Sequence, residues 1–271
     1  MISDKKAGEL LHLAESAALL AGAHLRNRRG EWKGVTASSG RDVKIAADRH
    51  SEALIVEQLA ASGIPLYSEE AGAIDARRTA RRSKKAAGPL WIIDPLDGSL
   101  NYHQGIPLCC VSIALYEGAR PILGVVYDFN HDEMFCGLAG RGAWLNHSPI
   151  EPSRTELISR AVLATGFPVR TDFSGPALSK FVGEVQGFRK VRLLGSAALS
   201  LCYVACGRVD AYREDGIMFW DVAAGCAIVD AAGGTVVIEK LQSPASPVDV
   251  IATNGRLNMN NRDEQRPIKR A

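Results

Sequence analysis

Residues 91–102 read WIIDPLDGSLNY. Trp91, Ile92 and Ile93 form the apolar run of a buried strand, and the run stops on Asp94 and Asp97, carboxylates that gain nothing from packing. Pro95 fixes φ and biases Asp94 toward an extended backbone, so the pair sits on a rigid bend that can also turn the Leu96 carbonyl outward. Gly98 permits close backbone approach. Ser99 brings a hydroxyl to what reads as a helix start, where free N–H groups and the helix dipole suit a phosphate oxygen.

Three other segments follow the same grammar of an apolar run ending on acid. VKIAAD closes on Asp48, IPLYSEE on Glu69 and Glu70, and GIMFWD on Asp221. Strand ends and helix starts are rigid places from which side chains can converge at a sheet edge. Converged carboxylates repel one another unless a positive charge lies among them, and a hard divalent cation with a preference for oxygen is the natural one. Mg²⁺ fits best, with Mn²⁺ as the substitute. Taken singly, Asp48 or Asp221 is more often a helix cap than a ligand, Glu69-Glu70 is usually a solvated turn and Asp-Pro is a common turn opener. The specificity lies in their joint occurrence.

The rest of the chain sets limits. Its 271 residues suffice for one large domain or two subdomains, and 46% apolar with 23% charged residues is ordinary for a globular protein. A net charge of +2 argues against bulk binding of nucleic acid or of a membrane surface. No apolar stretch approaches the roughly 20 residues of a membrane span. The N-terminal segment carries Glu9, His12 and Glu15 at helical intervals, which reads as an amphipathic helix and not a signal peptide. Six cysteines without regular spacing read as buried thiols of a reducing cytoplasm. Cys202 and Cys206 could share a helix face as metal ligands, though core residues are the simpler reading. The run 77–85 is basic and reads as a solvated loop, and the polar segment after Asn254 offers little to dock.

Periodicity predicts a helix over about 5–29 and a second one after Asp48. LCCVSIALY, PILGVVYDF, EMFCGLA and GAWLN, joined by short turns, predict an antiparallel meander. From about 155, strands alternate with helices, which predicts an α/β half.

DVKIAADRH, SEEAG, WIIDPLDGSLNY, PILGVVYD, GRGAWLN, GSAALSLCYVACGRVDAY and GIMFWDVAAGCAIVDAAGG together resemble the inositol monophosphatase family of Mg²⁺-dependent, lithium-sensitive phosphatases. The likeness runs to about Asn254. It implies an α/β (α+β) layered sandwich, with an N-terminal subdomain of residues 1–150 carrying most metal ligands. A C-terminal subdomain of 151–271 supplies Asp221 and the substrate pocket, and the active site lies between the two. It implies that Glu69, Asp94 and the Leu96 carbonyl hold one metal ion, that Asp94, Asp97 and Asp221 hold a second, and that a third leans on Glu69. By the same resemblance, Asp48 and Ser99 orient the attacking water, with Glu69 the third catalytic residue and Glu70 supporting it from behind. Gly98 and Ser99 grip the phosphate, while Gly195, Ser196, Ala197, Glu214 and Asp221 receive the alcohol.

Some positions depart from the family pattern. Ser99 stands where threonine is frequent, Met218 where some members have histidine, and Ala37 where some have lysine.

The expected activity is hydrolysis of a phosphate monoester of a small polyol or sugar by water attacking in line, with no covalent nucleophile. The alternatives are a 3′(2′),5′-bisphosphate nucleotidase, a histidinol phosphatase or a fructose-1,6-bisphosphatase, and, outside enzymes, a catalytically silent phosphate-binding relative. The expected partners are a small phosphorylated metabolite and a second copy of the chain.

Overall fold

The computed structural model describes residues 2–39, 42–74, 88–167 and 171–259. The basic run 77–85 and the segment beyond residue 259 lie outside them.

The chain begins with α1 (Asp4–Asn27), capped by Ser3, whose hydroxyl accepts the Lys6 N–H. Ala14, Ala17, Ala18 and Ala21 are fully buried along one stripe, so this long helix lies close on the sheet beneath it. Then come α2 (Arg29–Trp32), the hairpin β1 (Val35–Ser39) and β2 (Asp42–Ile45), and α3 (Ala46–Leu59), which packs beside α1. Asp48, expected to precede this second helix, lies inside its first turn.

β3 (Leu66–Ser68), β4 (Gly72–Ile74) and β5 (Pro89–Asp97) are followed by the short α4 (Ser99–Gln104). The predicted meander is β6 (Cys110–Glu117), β7 (Arg120–Asp128), β8 (Glu133–Leu138) and β9 (Gly142–Leu145), and it continues into β10 (Ser148–Ile150), which the sequence reading did not give. These strands form one sheet in the order β10-β9-β8-β7-β6-β5-β3-β4. Its pairs are antiparallel except β3 with β5, which run parallel and so bring the end of β3 beside the end of β5.

The second half alternates as expected: β11 (Val162–Thr165), α5 (Gly175–Val185), β12 (Lys190–Leu193), α6 (Ala197–Ala205), β13 (Ala211–Met218) and α7 (Phe219–Ala231), then β14 (Thr235–Glu239) and β15 (Pro247–Thr253). Its sheet, in the order β12-β11-β13-β15-β14, is mixed: β11 is parallel to both neighbours and the remaining pairs are antiparallel.

The α6–α7 pair is sandwiched between the two sheets, which gives the layered α/β arrangement. Because α7 is apolar and buried on every side from Val222 to Val229, it can sit between two sheets. Its approach to the large sheet depends on missing side chains. A Cβ on Gly124 would collide with the Ala224 carbonyl, and one on Gly137 would meet Ile228 Cα at 2.7 Å. Phe219 meets Tyr116 edge-on at 5.3 Å, a geometry worth about 0.5–1.5 kcal/mol beyond area burial. All six cysteines are free thiols, five of them buried, as the sequence suggested.

Candidate active site

Asp94 and Asp97 are three apart, a spacing that places side chains on opposite faces of a regular strand. Here the register slips by one residue between them: Asp94 pairs with Ser112 and Asp97 with Cys110. This bulge at Pro95-Leu96 returns both carboxylates to the face that looks toward α6 and α7. Two hydrogen bonds hold the bend. The Leu96 N–H donates to Asp94 Oδ1 at 3.0 Å, and the buried Ser51 hydroxyl donates to the Pro95 carbonyl at 2.7 Å.

Glu69 follows β3 directly, and its N–H donates to the Ile93 carbonyl at 3.2 Å, so the parallel β3–β5 pair sets it against Asp94. Asp221 arrives from the first turn of α7. Carboxylate oxygens of Glu69, Asp94 and Asp221 all lie within 4.8 Å of one another. Glu70 is half-buried in the turn after Glu69 and is not part of that group.

Burial pushes the Asp94 carboxyl well above the usual range, and the charges of Glu69, Asp97 and Asp221 push it further. Asp221 is raised in the same way, by burial first and then by Glu69, Asp97 and Glu214. Such a group resists full ionisation until a cation enters. An all-oxygen donor set with this much negative charge fits Mg²⁺ or Mn²⁺ and fits no softer metal as well.

Asp97 is anchored differently. Its Oδ2 accepts the Ser196 hydroxyl at 2.5 Å and the Ala198 N–H at 2.8 Å, so the start of α6 fixes it. Burial raises its carboxyl to about 6, against the lowering effect of these donors. Ser196 also caps α6 by accepting the Leu199 N–H at 3.2 Å. Its hydroxyl thus holds Asp97 and the helix start together, a contact that the sequence reading did not assign. Ala197, the first residue of α6, is buried next to it.

Asp48 is the fourth carboxylate. Its Oδ2 accepts the N-cap Ile45 N–H at 2.7 Å, and its Oδ1 accepts from Ser99 Oγ at 2.8 Å. Asp221 accepts the Met218 N–H from the same third position of its own helix. Both aspartates therefore cap their own helices, and Asp48 also reaches Ser99 through its other oxygen. Ser99 Oγ also lies 3.0 Å from the Leu96 carbonyl.

Gly98 and Gly195 form a tight crossing. Both have positive φ, 87° and 72°, and a Cβ on Gly98 would meet the Leu108 carbonyl at 2.8 Å. Asn101 clamps the crossing, its Nδ2 facing the carbonyls of Leu108 at 2.7 Å and Leu194 at 2.9 Å. The N-termini of α4, α6 and α7 thus meet around one space, and their partial positive charges favour an anion there. Glu214, buried, accepts the Tyr212 hydroxyl at 2.8 Å and lies against Gly166, where a Cβ would meet Oε2 at 2.5 Å. Burial raises its carboxyl to about 7.

The sequence profile of the Inositol monophosphatase family matches residues 6–267. The chain belongs to the inositol monophosphatase family. Members of that family are phosphatases, and this chain is a phosphatase of that family. It is 37% identical over 261 residues to an inositol-1-monophosphatase of Synechocystis sp., covering 91% of this chain and 85% of that one. It is also 37% identical over 233 residues to the Nus factor SuhB of Pasteurella multocida, covering 84% of each. The solved inositol monophosphatase of Anabaena (Nostoc) sp. superposes with a TM-score of 0.79 at 37% identity, over 95% of both chains.

Ser51, Asn101, Tyr212 and Gly166 were not assigned by the sequence reading. Asn101 sits inside the opening motif, where an asparagine after Ser-Leu in a short helix gave a signal. Ser51 and Gly166 gave none, since their partners lie far off in the chain.

Proposed function

We propose that the chain hydrolyses the phosphate monoester of a small polyol or sugar, of the inositol-1-phosphate kind, with Mg²⁺ as cofactor and sensitivity to lithium. The observation that carries this reading is the convergence of Glu69, Asp94 and Asp221 next to the Ser99–Asp48 pair. In this reading Glu69, Asp94, the Leu96 carbonyl, Asp97 and Asp221 would hold two or three cations. Those cations would supply the positive charge that neutralises the cage and polarises the phosphate ester.

The chain's own groups do the rest. Ser99 gives its proton to Asp48, so its oxygen lone pairs accept a proton of the attacking water and aim that water at phosphorus. Asp48 cannot turn away, because its other oxygen is held by the Ile45 N–H. The amides of Gly98 and Ser99 receive phosphate oxygens at the start of α4, and the crossing with Gly195 keeps that backbone in place. Ala197 and the α6 start close one wall. Glu214, with Asp221, accepts hydroxyl groups of the alcohol, which favours a polyol over an apolar leaving group. Glu69 acts from the cation side, and Glu70 supports the turn that carries it.

The test is phosphate release from a panel of inositol, sugar, histidinol and nucleotide phosphates, with Mg²⁺, with EDTA and with added Li⁺. Fastest EDTA-sensitive turnover on inositol or sugar monophosphates supports the reading, and preference for a nucleoside bisphosphate overturns the substrate assignment.

Residues 1–150 and 151–271 would act as two subdomains that share the α6–α7 layer. A homodimer fits the face of α5, where no residue is buried and Leu178 and Val182 lie exposed. Sedimentation of the wild type against V182E would test it. No helix among the described residues is long and apolar enough to cross a membrane. A cytoplasmic location fits the free thiols.

A further inference from the structure

Glu214 reaches the cleft from β13, and its neighbours in that sheet decide where its carboxylate lies. Tyr212, two residues earlier on the same face of the strand, is fully buried, and its hydroxyl donates to Glu214 Oε2 at 2.8 Å. β11 runs parallel to β13 and pairs Thr165 with Arg213, so Gly166 comes beside Glu214. The Thr165 hydroxyl fastens that register by donating to the Arg213 carbonyl at 2.7 Å. A Cβ on Gly166 would meet Oε2 at 2.5 Å and Oε1 at 2.7 Å, so both carboxylate oxygens lie against bare backbone.

The charges of Asp97 and Asp221 act on this carboxylate from the cation cage. A glutamate side chain is long and flexible, and under such repulsion it keeps one orientation only where packing and a donor fix it. We infer, on the strength of the proposed function in which Glu214 meets the alcohol, that Tyr212 and Gly166 are positioning residues that set specificity. Together they hold Glu214 as a fixed acceptor, so that the site selects a polyol phosphate over the phosphate of an alcohol with no further hydroxyl.

Oε2 is taken by Tyr212, and Oε1 accepts from no other described residue, so Oε1 is the oxygen that an alcohol hydroxyl meets. An alcohol lacking that hydroxyl covers Oε1 without pairing it, and leaving a buried charged acceptor unpaired costs more than the bond alone contributes. A mobile carboxylate would turn toward water and lose this discrimination. Gly166 acts through the side chain it lacks: a methyl group there would take the space of the carboxylate and drive it off Tyr212.

The test compares inositol-1-phosphate with cyclohexyl phosphate, the same ring without hydroxyls, on the full chain saturated with Mg²⁺. The expected result is a wild-type preference for the inositol ester in kcat/KM that E214A abolishes. Y212F and G166A should each lower that preference by roughly tenfold or more, the low end of what a hydrogen bond to a charged group supplies. The loss should fall on KM for inositol-1-phosphate, with kcat little moved. G166A is the second route to the same result, because the atoms it displaces are the end of a flexible side chain and the backbone need not shift. A merely structural role would lower both esters alike and leave their ratio in place. A preference lost in E214A but retained in either Y212F or G166A overturns the inference and leaves Glu214 with the alcohol. No preference in the wild type, or one that survives in E214A, overturns the inference and the assignment of Glu214 together.

Discussion

Ser99 and Asp48 lie 51 residues apart in the chain, yet the Ser99 hydroxyl donates to Asp48 Oδ1 at 2.8 Å. The proton on Ser99 is therefore committed to Asp48, and what the serine oxygen presents to the cleft is its lone pairs. S99A should lower kcat by roughly 10²- to 10⁴-fold, the range of a lost positioned acid–base group, with the Mg²⁺ concentration for half-activation little changed. S99T should restore most of the rate. A loss confined to Mg²⁺ affinity would mean that the hydroxyl serves the cation and not the water.

Asp94 sits where the repulsion is worst, buried and facing Glu69, Asp97 and Asp221. Replacing it with asparagine removes one of the mutually repelling charges without changing shape. D94N should abolish turnover and also raise the thermal midpoint of the EDTA-treated protein, while Mg²⁺ no longer shifts that midpoint. Calorimetry on both proteins, with and without Mg²⁺, checks all three. An unchanged Mg²⁺ response would remove Asp94 from the cation cage.

Ser196 holds Asp97 and the start of α6 together. It donates to Asp97 and caps α6, so S196A should cost about 1–3 kcal/mol of stability, from a lost cap and a weakened buried carboxylate. With one donor gone, the Asp97 carboxyl rises further, and half-activation by Mg²⁺ should worsen more at pH 6 than at pH 8. Equal worsening at both pH values would mean that Ser196 meets the substrate directly.

The contrast between Asp94 and Ser51 shows how far the sequence carries. Asp94 was readable because an acid ending an apolar run violates packing logic within a few residues, and the same local violation marked Asp48, Glu69 and Asp221. The strands and helices were readable for a similar reason, since periods of 2.0 and 3.6 residues are local. Ser51 and Gly166 break no local rule, and each acquires its meaning from a partner 44 or more residues away. The bulge that places Asp94 and Asp97 on one face is an in-between case. Pro95 announced a bend, but only the pairing of β5 with β6 shows that the bend is one extra residue.

The cage should also govern how stability depends on pH. The folded protein holds Glu214 at about 7 and Asp97 at about 6, both above the ordinary values of 4.5 and 3.8, and raises Asp94 and Asp221 further still. A carboxyl raised in the folded state stabilises the fold below its unfolded value and loses that contribution as pH climbs through the folded one. Cation-free protein should thus lose this contribution between about pH 4 and pH 7. Mg²⁺ binds the ionised cage, so its stabilising effect should grow over the same interval. The measurement is the difference in thermal midpoint with and without Mg²⁺, which cancels the acid response of surface carboxylates. It should be near zero at pH 5 and reach several degrees or more at pH 8, since about 1 kcal/mol corresponds to roughly 2–4 °C for a chain approaching this size. A difference that is constant across that range would show that the four acids are already ionised without any cation, and that repulsion among them does not shape the site.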